Sequence, residues 1–249
     1  MLDLLPMTAQ RNRILWWLYQ PWKWLVAIPV ALVATVVCGT LVVLGSAVVG
    51  PRIAGKLGPV WARIIAFATP AAIHVAGREH LVDGQSYVIV ANHLSMYDII
   101  ALYGWVGLDF RWVIKAELRK VPFIGSGCAA LGHVFVDRRN TDAARAAIGE
   151  VRDKISNGTC IIFFAEGTRS STGQLLPFKK GAFRMAVDLD LPVLPVTLRH
   201  TNRLLPNKTL DLFPGRVELV FHQPIKHGEG SDRAIRLRDQ TREAIASAL

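Results

Sequence analysis

The chain of 249 residues is long enough for one catalytic domain and a short additional segment. Because 51% of the residues are hydrophobic and only 19% are charged, the composition excludes an intrinsically disordered chain. The net charge of +10 indicates an anionic partner such as nucleic acid, a phospholipid surface or a phosphorylated substrate. The three widely spaced cysteines support neither a disulfide framework nor a zinc knuckle, and they favour a reducing environment.

The first element predicted along the chain is a long apolar helix. No charged residue occurs between Trp24 and Pro51, and Val26–Val49 as a helix would measure roughly 36 Å, against about 30 Å of bilayer hydrocarbon. Four of the seven tryptophans lie between Trp16 and Trp24, a cluster typical of the membrane interface. The length and the tryptophan-rich lead disfavour a cleaved signal peptide. We therefore predict that residues 1–69 form a membrane-anchoring region.

The flanks of this segment bear on whether it crosses the membrane. Three basic residues stand on each side, so the positive-inside rule predicts no orientation. Pro29, Gly39, Gly45 and the Gly50-Pro51 pair are places where a helix could kink or reverse. We favour a re-entrant or monotopic helix pair over a single span. The apolar spacing of Val60–Phe67 then predicts an amphipathic helix on the membrane surface.

From about residue 70 the pattern changes to short β-branched runs that alternate with helical stretches. Since the strand runs are continuously apolar, the sheet should be covered on both faces. Residues 70–249 are therefore predicted to form an α/β domain with a mainly parallel or mixed sheet flanked by helices. The predicted strands are Tyr87–Ala91, Arg111–Lys115, His133–Val136, Thr159–Phe164, Val193–Leu198 and Val217–Phe221, and the predicted helices are Thr141–Ser156, Gly181–Leu189 and Ser231–Leu249.

Ligands of such folds bind beyond the carboxyl ends of the strands, where the first run leads into Asn92 and His93. His93 could meet Asp98 only if the histidine lay in the loop and the aspartate in the first helical turn. Asp98 would then fix the imidazole tautomer, so that the other ring nitrogen could act as a general base. An aspartate near a helix start is, however, more often a cap. Ser95 is interpreted as structural, because no nucleophile-elbow glycines surround it.

A second candidate site follows Thr159–Phe164. The turn Glu166-Gly167-Thr168-Arg169 offers a guanidinium and backbone N–H groups, which suit phosphate binding. A surface salt bridge between Glu166 and Arg169 is an equal alternative at this stage. Lys179 and Lys180 open the next helix, either as further phosphate ligands or as a solvated basic turn. Cys160 is predicted to be buried and inert.

Together these motifs resemble the sequence blocks of the glycerolipid acyltransferases, in the order and spacing of that family over residues 87–198. One departure is Ala165, where the family often has proline. The matching blocks are Asn92-His93 with Asp98, Val134–Arg138, Glu166–Arg169 with Phe178–Gly181, and Leu191–Val196.

The similarity is greatest to the bacterial members that make phosphatidic acid, and it implies an O-acyltransferase of phospholipid biosynthesis. The implied reaction moves a fatty acyl group from acyl-CoA or acyl carrier protein to the sn-2 hydroxyl of 1-acyl-sn-glycerol-3-phosphate (lysophosphatidic acid). His93 would deprotonate the hydroxyl, which attacks the thioester directly, and Asp98 would orient the imidazole. No metal ion or cofactor is expected beyond the acyl co-substrate.

The resemblance also implies residues that bind the phosphorylated acceptor. They are Lys115, Arg138, Glu166, Gly167, Thr168 and Arg169, with Asn92, Lys179 and Lys180 as additional candidates.

The expected location is the inner cell membrane, with the catalytic domain facing the cytoplasm and the phospholipid bilayer as partner. Nucleic acid is not expected, because no aromatic single-strand platform or reading helix is recognisable. One alternative is a relative that acylates glycerol-3-phosphate, a lyso-ornithine lipid or a glycolipid. The other is a non-catalytic basic protein that binds membranes.

Overall fold

The structure is a computed structural model that describes residues 13–137, 149, 155 and 157–249. The predicted helix Thr141–Ser156 lies almost wholly outside the described residues, and the candidate site residue Arg138 lies outside them too.

The N-terminal part is a helix that turns back along itself. Helix α1 (Arg13–Trp22) continues through the π-helical turn Lys23–Ala27 into α2 (Ile28–Val48). After Gly50, which has a φ of +86°, α3 (Pro51–Ala54) and α4 (Leu57–Ala68) pack back against α2. Trp16–Val48 is the stretch of the described chain that is long and apolar enough to cross a membrane. The apolar helix continues unbroken from Ile28 to Val48, and the chain reverses after it, so that α4 lies against it.

A seven-stranded sheet follows, in the order β1-β7-β6-β2-β5-β3-β4. Its neighbouring strands are parallel except for the antiparallel pair β6 and β7. The predicted α/β class with a mixed sheet is thereby confirmed. The strands are β1 (Ala71–Ala76), β2 (Val88–Ala91), β3 (Asp109–Lys115), β4 (Val134–Val136), β5 (Thr159–Phe164), β6 (Val193–Arg199) and β7 (Gly215–Phe221).

Helices cover both faces of the sheet, as its continuously apolar strands predicted. In β2 the side chains of Ile89 and Ala91 join one buried core with α4 and α5, whereas Val88 and Val90 join a second core with α7 and α9 on the opposite face. These helices are α5 (Tyr97–Trp105), α6 (Ile124–Ala130), α7 (Gly181–Asp188), α8 (Thr201–Leu204) and α9 (Arg233–Ala246).

Two elements that the sequence did not predict complete this arrangement. Strand β1 forms one edge of the sheet, and α6 packs between the turn Ala116–Lys120 and the middle of α2. Because α2 contacts α6 and lines one cavity together with Lys115 and Phe164, the apolar helix is packed on the α/β domain beside the carboxyl ends of β3 and β5.

Candidate active site

The site is built around a histidine and an aspartate at the end of β2. His93 lies in the loop after the strand, and Asp98 lies in the first turn of α5. Oδ2 of the fully buried Asp98 accepts the backbone N–H groups of Leu94 at 2.7 Å and Ser95 at 2.9 Å, and it lies 2.7 Å from Nδ1 of His93. Because this oxygen acts as an acceptor, Nδ1 carries the imidazole proton and Nε2 keeps its lone pair.

The imidazole plane is fixed from one side by an aromatic ring. Phe164, the last residue of β5, stacks on His93 with 3.8 Å between the ring centroids and 9° between the planes. Only 13% of the His93 side chain is exposed, and the residue lines a cavity. Phe164 was not among the predicted site residues, although its place at the carboxyl end of a predicted strand was a usable signal.

Glu166 fixes the backbone of the same histidine. Its Oε1 accepts the His93 N–H at 2.6 Å, its Oε2 accepts the Leu176 N–H at 2.9 Å, and the Ser170 N–H donates to the His93 carbonyl at 2.8 Å. Burial raises the pKa of Glu166, and the two backbone N–H donors partly offset this effect. The surface salt bridge with Arg169 was therefore the wrong alternative, since Glu166 is buried and bonded to backbone N–H groups.

The cavity beside His93 has a volume of about 330 Å³ and lies between the apolar helix pair and the α/β domain. Its wall is mostly apolar and comes from α2, α4, α5, β3 and α6. Two cationic residues share this wall with His93, namely Lys115 at the end of β3 and Arg169 after β5. The Lys115 ammonium also forms an exposed ion pair with Glu117 at 2.8 Å.

The other residues of the 166–169 turn lie next to the cavity rather than among its lining residues. Gly167 has a φ of +72°, and its N–H closes the turn on the Phe164 carbonyl at 3.0 Å. A Cβ at Gly167 would lie 2.7 Å from Cε of Lys179, so this lysine packs directly over the turn. Thr168 is exposed on the same turn.

Asn92 and Lys180, the two remaining candidate residues, lie away from the cavity. The amide of Asn92 donates to the Leu198 carbonyl at 2.9 Å and accepts its N–H at 2.8 Å, so it joins β2 to β6 within the sheet. Lys180 is exposed at the start of α7. Neither residue lines the cavity.

The structural interpretations of Ser95 and Cys160 agree with their surroundings. Ser95 Oγ donates to the Leu205 carbonyl at 2.6 Å and accepts the Tyr97 N–H at 3.0 Å. Cys160 is fully buried in β5, and burial raises the pKa of its thiol to about 12. In the part of the chain that the structure describes, no group of three or more His, Cys, Asp or Glu side chains is arranged to hold a metal ion.

Comparison with known proteins identifies the family. A sequence model of the Acyltransferase family matches residues 72–199, which is slightly more than half of the chain. The chain belongs to this family, and the resemblance seen in its motifs is confirmed.

Curated proteins with similar sequences are also acyltransferases by name. A 1-acyl-sn-glycerol-3-phosphate acyltransferase of Chlamydomonas reinhardtii is 34% identical over 179 residues, covering 71% of this chain and 53% of the relative. The alpha form of the human 1-acyl-sn-glycerol-3-phosphate acyltransferase is 28% identical over 70% of this chain and 62% of its own length. The chain thus spans about half to three fifths of these relatives.

A solved structure matches over almost the whole chain. The crystal structure of the 1-acyl-sn-glycerophosphate acyltransferase PlsC from Thermotoga maritima superposes with a TM-score of 0.79 at 28% identity and covers 96% of both chains. The similarity therefore includes the N-terminal helices as well as the α/β domain.

Proposed function

We propose that this chain transfers a fatty acyl group from the thioester of acyl-CoA or acyl carrier protein to the sn-2 hydroxyl of 1-acyl-sn-glycerol-3-phosphate, forming phosphatidic acid. The observation that carries the proposal is one cavity that combines an oriented His93–Asp98 pair, two cationic residues and a long apolar wall. The names of the relatives support this acceptor.

His93 Nε2 is the proposed general base. It takes the proton of the acceptor hydroxyl while the hydroxyl oxygen bonds to the thioester carbonyl carbon. The carbon–sulfur bond then breaks, and the leaving thiolate can recover the proton from the imidazolium. Asp98 accepts from Nδ1 throughout, which holds the tautomer and stabilises the imidazolium.

Lys115 and Arg169 are the proposed phosphate ligands on the cavity wall. A guanidinium donates in parallel to two phosphate oxygens, and an ammonium adds a compact positive charge. By the resemblance, Arg138 would join them. The apolar wall supports the binding of a fatty chain, because most of its lining side chains are aliphatic or aromatic.

The helix pair is the proposed membrane anchor. Leu25 is 77% exposed, Val48 is 84% exposed and Phe67 is 87% exposed, although these side chains are large and apolar. Burying such surface in lipid is favourable, and the net positive charge favours an anionic leaflet. We infer a monotopic protein on the cytoplasmic face of the inner membrane.

The test is an assay of CoA release. The purified full chain in lipid vesicles should release free CoA from oleoyl-CoA when lysophosphatidate is added. The variant His93→Ala should lower turnover by about 100- to 10,000-fold, the contribution of a positioned general base. The matched control is His74→Ala, because His74 is exposed on the edge strand β1 and outside the site.

Acceptor competition then tests the specificity. Lysophosphatidate should outcompete glycerol-3-phosphate, a lyso-ornithine lipid and a glycolipid for a radiolabelled acyl donor. Preference for one of those acceptors would replace the proposed substrate. Equal turnover by the His93→Ala and wild-type proteins would remove His93 as the base.

A further inference from the structure

The side-chain amide of Asn207 connects three loops at the carboxyl edge of the sheet. Its Nδ2 donates to the Leu94 carbonyl at 3.0 Å and to the Ser170 carbonyl at 2.7 Å. Asn207 lies beyond β6, Leu94 follows β2 and Ser170 follows β5, and these three strands are neighbours in the order β6-β2-β5. Asn207 is not among the residues that line the cavity, so any effect on the reaction passes through the loops that it connects.

The surroundings of the Asn207 amide fix its orientation. Because both acceptors are carbonyl oxygens, the amide nitrogen must face Leu94 and Ser170. The amide oxygen Oδ1 is buried, and it has no hydrogen-bond partner in the described part of the chain. A buried acceptor without a partner is unfavourable. The position of this side chain is therefore explained by its two N–H donors and not by its oxygen.

The two bonds of Asn207 complete a closed ring of hydrogen bonds. The Ser170 N–H donates to the His93 carbonyl at 2.8 Å, and the Asn207 amide joins the Ser170 carbonyl back to the carbonyl of Leu94, one residue beyond His93. Leu94 and Ser170 are both buried, so water hardly competes for these bonds. The ring thus holds the loop after β2 and the turn after β5 at one separation.

The ring lies next to two side chains with different proposed tasks. Leu94 directly follows His93, the proposed base, and Ser170 directly follows Arg169, a proposed phosphate ligand. Glu166 bonds the His93 N–H from the start of the same turn at 2.6 Å. The turn is therefore fixed at its start by Glu166 and at its end, where Arg169 lies, by the ring.

The loop that carries Asn207 is itself fixed at its ends. The Phe213 N–H donates to the Leu204 carbonyl at 2.8 Å, which closes the loop at its base. Ser95 Oγ donates to the Leu205 carbonyl at 2.6 Å and bonds the loop to the start of α5. Asn207 therefore reaches the two carbonyls from a loop whose position is determined by other contacts.

We propose that Asn207 is a positioning residue that sets the separation between His93 and Arg169, and that it thereby selects acceptors by the span between their hydroxyl and phosphate groups. This inference rests on the proposed function, which supplies the roles of His93 and Arg169. In lysophosphatidate the sn-2 hydroxyl and the phosphate are carried on adjacent carbon atoms, so a fixed separation of base and ligand fits both groups at once. An acceptor with a longer span loses this advantage.

The first test compares two acceptors that differ in this span. CoA release from oleoyl-CoA is measured with lysophosphatidate and with a homologue that has one more methylene between the hydroxyl-bearing carbon and the phosphate. In Asn207→Ala, kcat/KM for lysophosphatidate should fall by about 10- to 100-fold, the effect of a small misplacement, and it should fall less for the homologue. A loss of folded protein would lower both values alike, so the ratio of the two reports the separation.

A second variant and a matched control accompany this measurement. Asn207→Asp keeps the shape of the side chain but supplies no N–H donor when ionised, so it should lower the same ratio. The control is Asn202→Ala, because Asn202 is half-buried on α8 and takes no part in the ring of hydrogen bonds. It should leave the ratio at the wild-type value. Wild-type ratios in both Asn207 variants would refute the inference.

Amide hydrogen exchange tests the ring without relying on turnover. The Ser170 N–H should exchange about 3- to 10-fold faster in Asn207→Ala than in the wild-type protein or in Asn202→Ala, the effect of losing one hydrogen bond. Unchanged exchange would overturn the inference. If the wild-type protein released no CoA with lysophosphatidate, the proposed function would fail, whereas faster exchange in Asn207→Ala would still support Asn207 as the residue that positions the two loops.

Discussion

His93 is held at both its backbone and its ring. Glu166 and Ser170 bond the two sides of its peptide backbone, Asp98 bonds Nδ1, and Phe164 stacks on the imidazole. Such fixation is what a general base requires, since small errors in position cost large factors in rate. The block around Glu166, assigned to the acceptor by resemblance, therefore also positions His93, the proposed base.

The variant Glu166→Gln separates these two roles. Its amide nitrogen would face either the His93 N–H or the Leu176 N–H, so one hydrogen bond is replaced by two opposed donors. If Glu166 positions the base, kcat should fall by about 10- to 100-fold with little change in the KM for lysophosphatidate. Steady-state kinetics with varied acceptor measure both quantities.

Arg169→Gln is the companion variant for the phosphate. Arg169 lines the cavity, whereas the described bonds to His93 come from Asp98, Glu166 and Ser170, so the loss of this guanidinium should mainly raise the acceptor KM. A raised KM with unchanged kcat in Glu166→Gln would instead assign Glu166 to acceptor binding.

The site was predictable from the sequence where its contacts are local. His93 and Asp98 are five residues apart, and their meeting followed from one strand end and one helix start. The bond between Glu166 and His93 joins residues 73 positions apart. Whether Glu166 reaches His93 depends on how β2 and β5 pair, and no local pattern in the sequence indicates that pairing.

At the scale of elements, two glycines of α2 offer a direct comparison. A Cβ at Gly39 would lie 3.0 Å from both Cβ and the carbonyl oxygen of Phe123, whereas a Cβ at Gly45 would lie 3.5 Å from Cβ of Ala54. Phe123 lines the cavity and has a φ of +61°. The segment around Phe123 thus depends on the absence of a side chain at Gly39.

Gly39→Ala should displace Phe123 and disturb the cavity, at a cost of about 1–3 kcal/mol. We expect a lower Tm for Gly39→Ala. We also expect its kcat/KM to fall several-fold more for long acyl donors than for short ones. Gly45→Ala introduces only an ordinary contact and removes a poor helix former, so its Tm should be unchanged or higher. Equal behaviour of the two variants would show that Phe123 does not depend on Gly39.

The elements that were predicted and those that were missed differ in their local signal. Runs of β-branched residues revealed β2 to β7 because these strands are buried or paired on both sides. Strand β1 (Ala71–Ala76) has three alanines and alternates in burial, and α6 (Ile124–Ala130) contains two glycines in seven residues. Both are stabilised by neighbours distant in sequence rather than by propensity.

At the scale of the whole molecule, the exposed apolar side chains of the N-terminal helices predict that the protein binds a membrane through these helices. Phe67→Glu places a charge on a side chain that is 87% exposed on α4, so it should fold normally. Burial of one phenylalanine contributes about 1.5–3 kcal/mol, and vesicle binding should therefore weaken by about 10-fold or more. Flotation with lipid vesicles measures the bound fraction.

Ile235→Glu is the matched control for this experiment. Ile235 lies on α9, which packs on the opposite face of the sheet from α4. Vesicle binding should be close to that of the wild-type protein. Equal loss in both variants would contradict an anchor formed by residues 1–69, and so would no loss in Phe67→Glu.

The order of strands has a consequence for synthesis on the ribosome. Within the described sheet, β1 pairs only with β7, so the strand that is translated first of the seven has no partner until the last of them has emerged. The apolar helices come out earlier and can enter the bilayer in the meantime. If these helices form the proposed anchor, the nascent chain is tethered at one end to lipid while its sheet remains open, and β7 closes the sheet by inserting between β1 and β6.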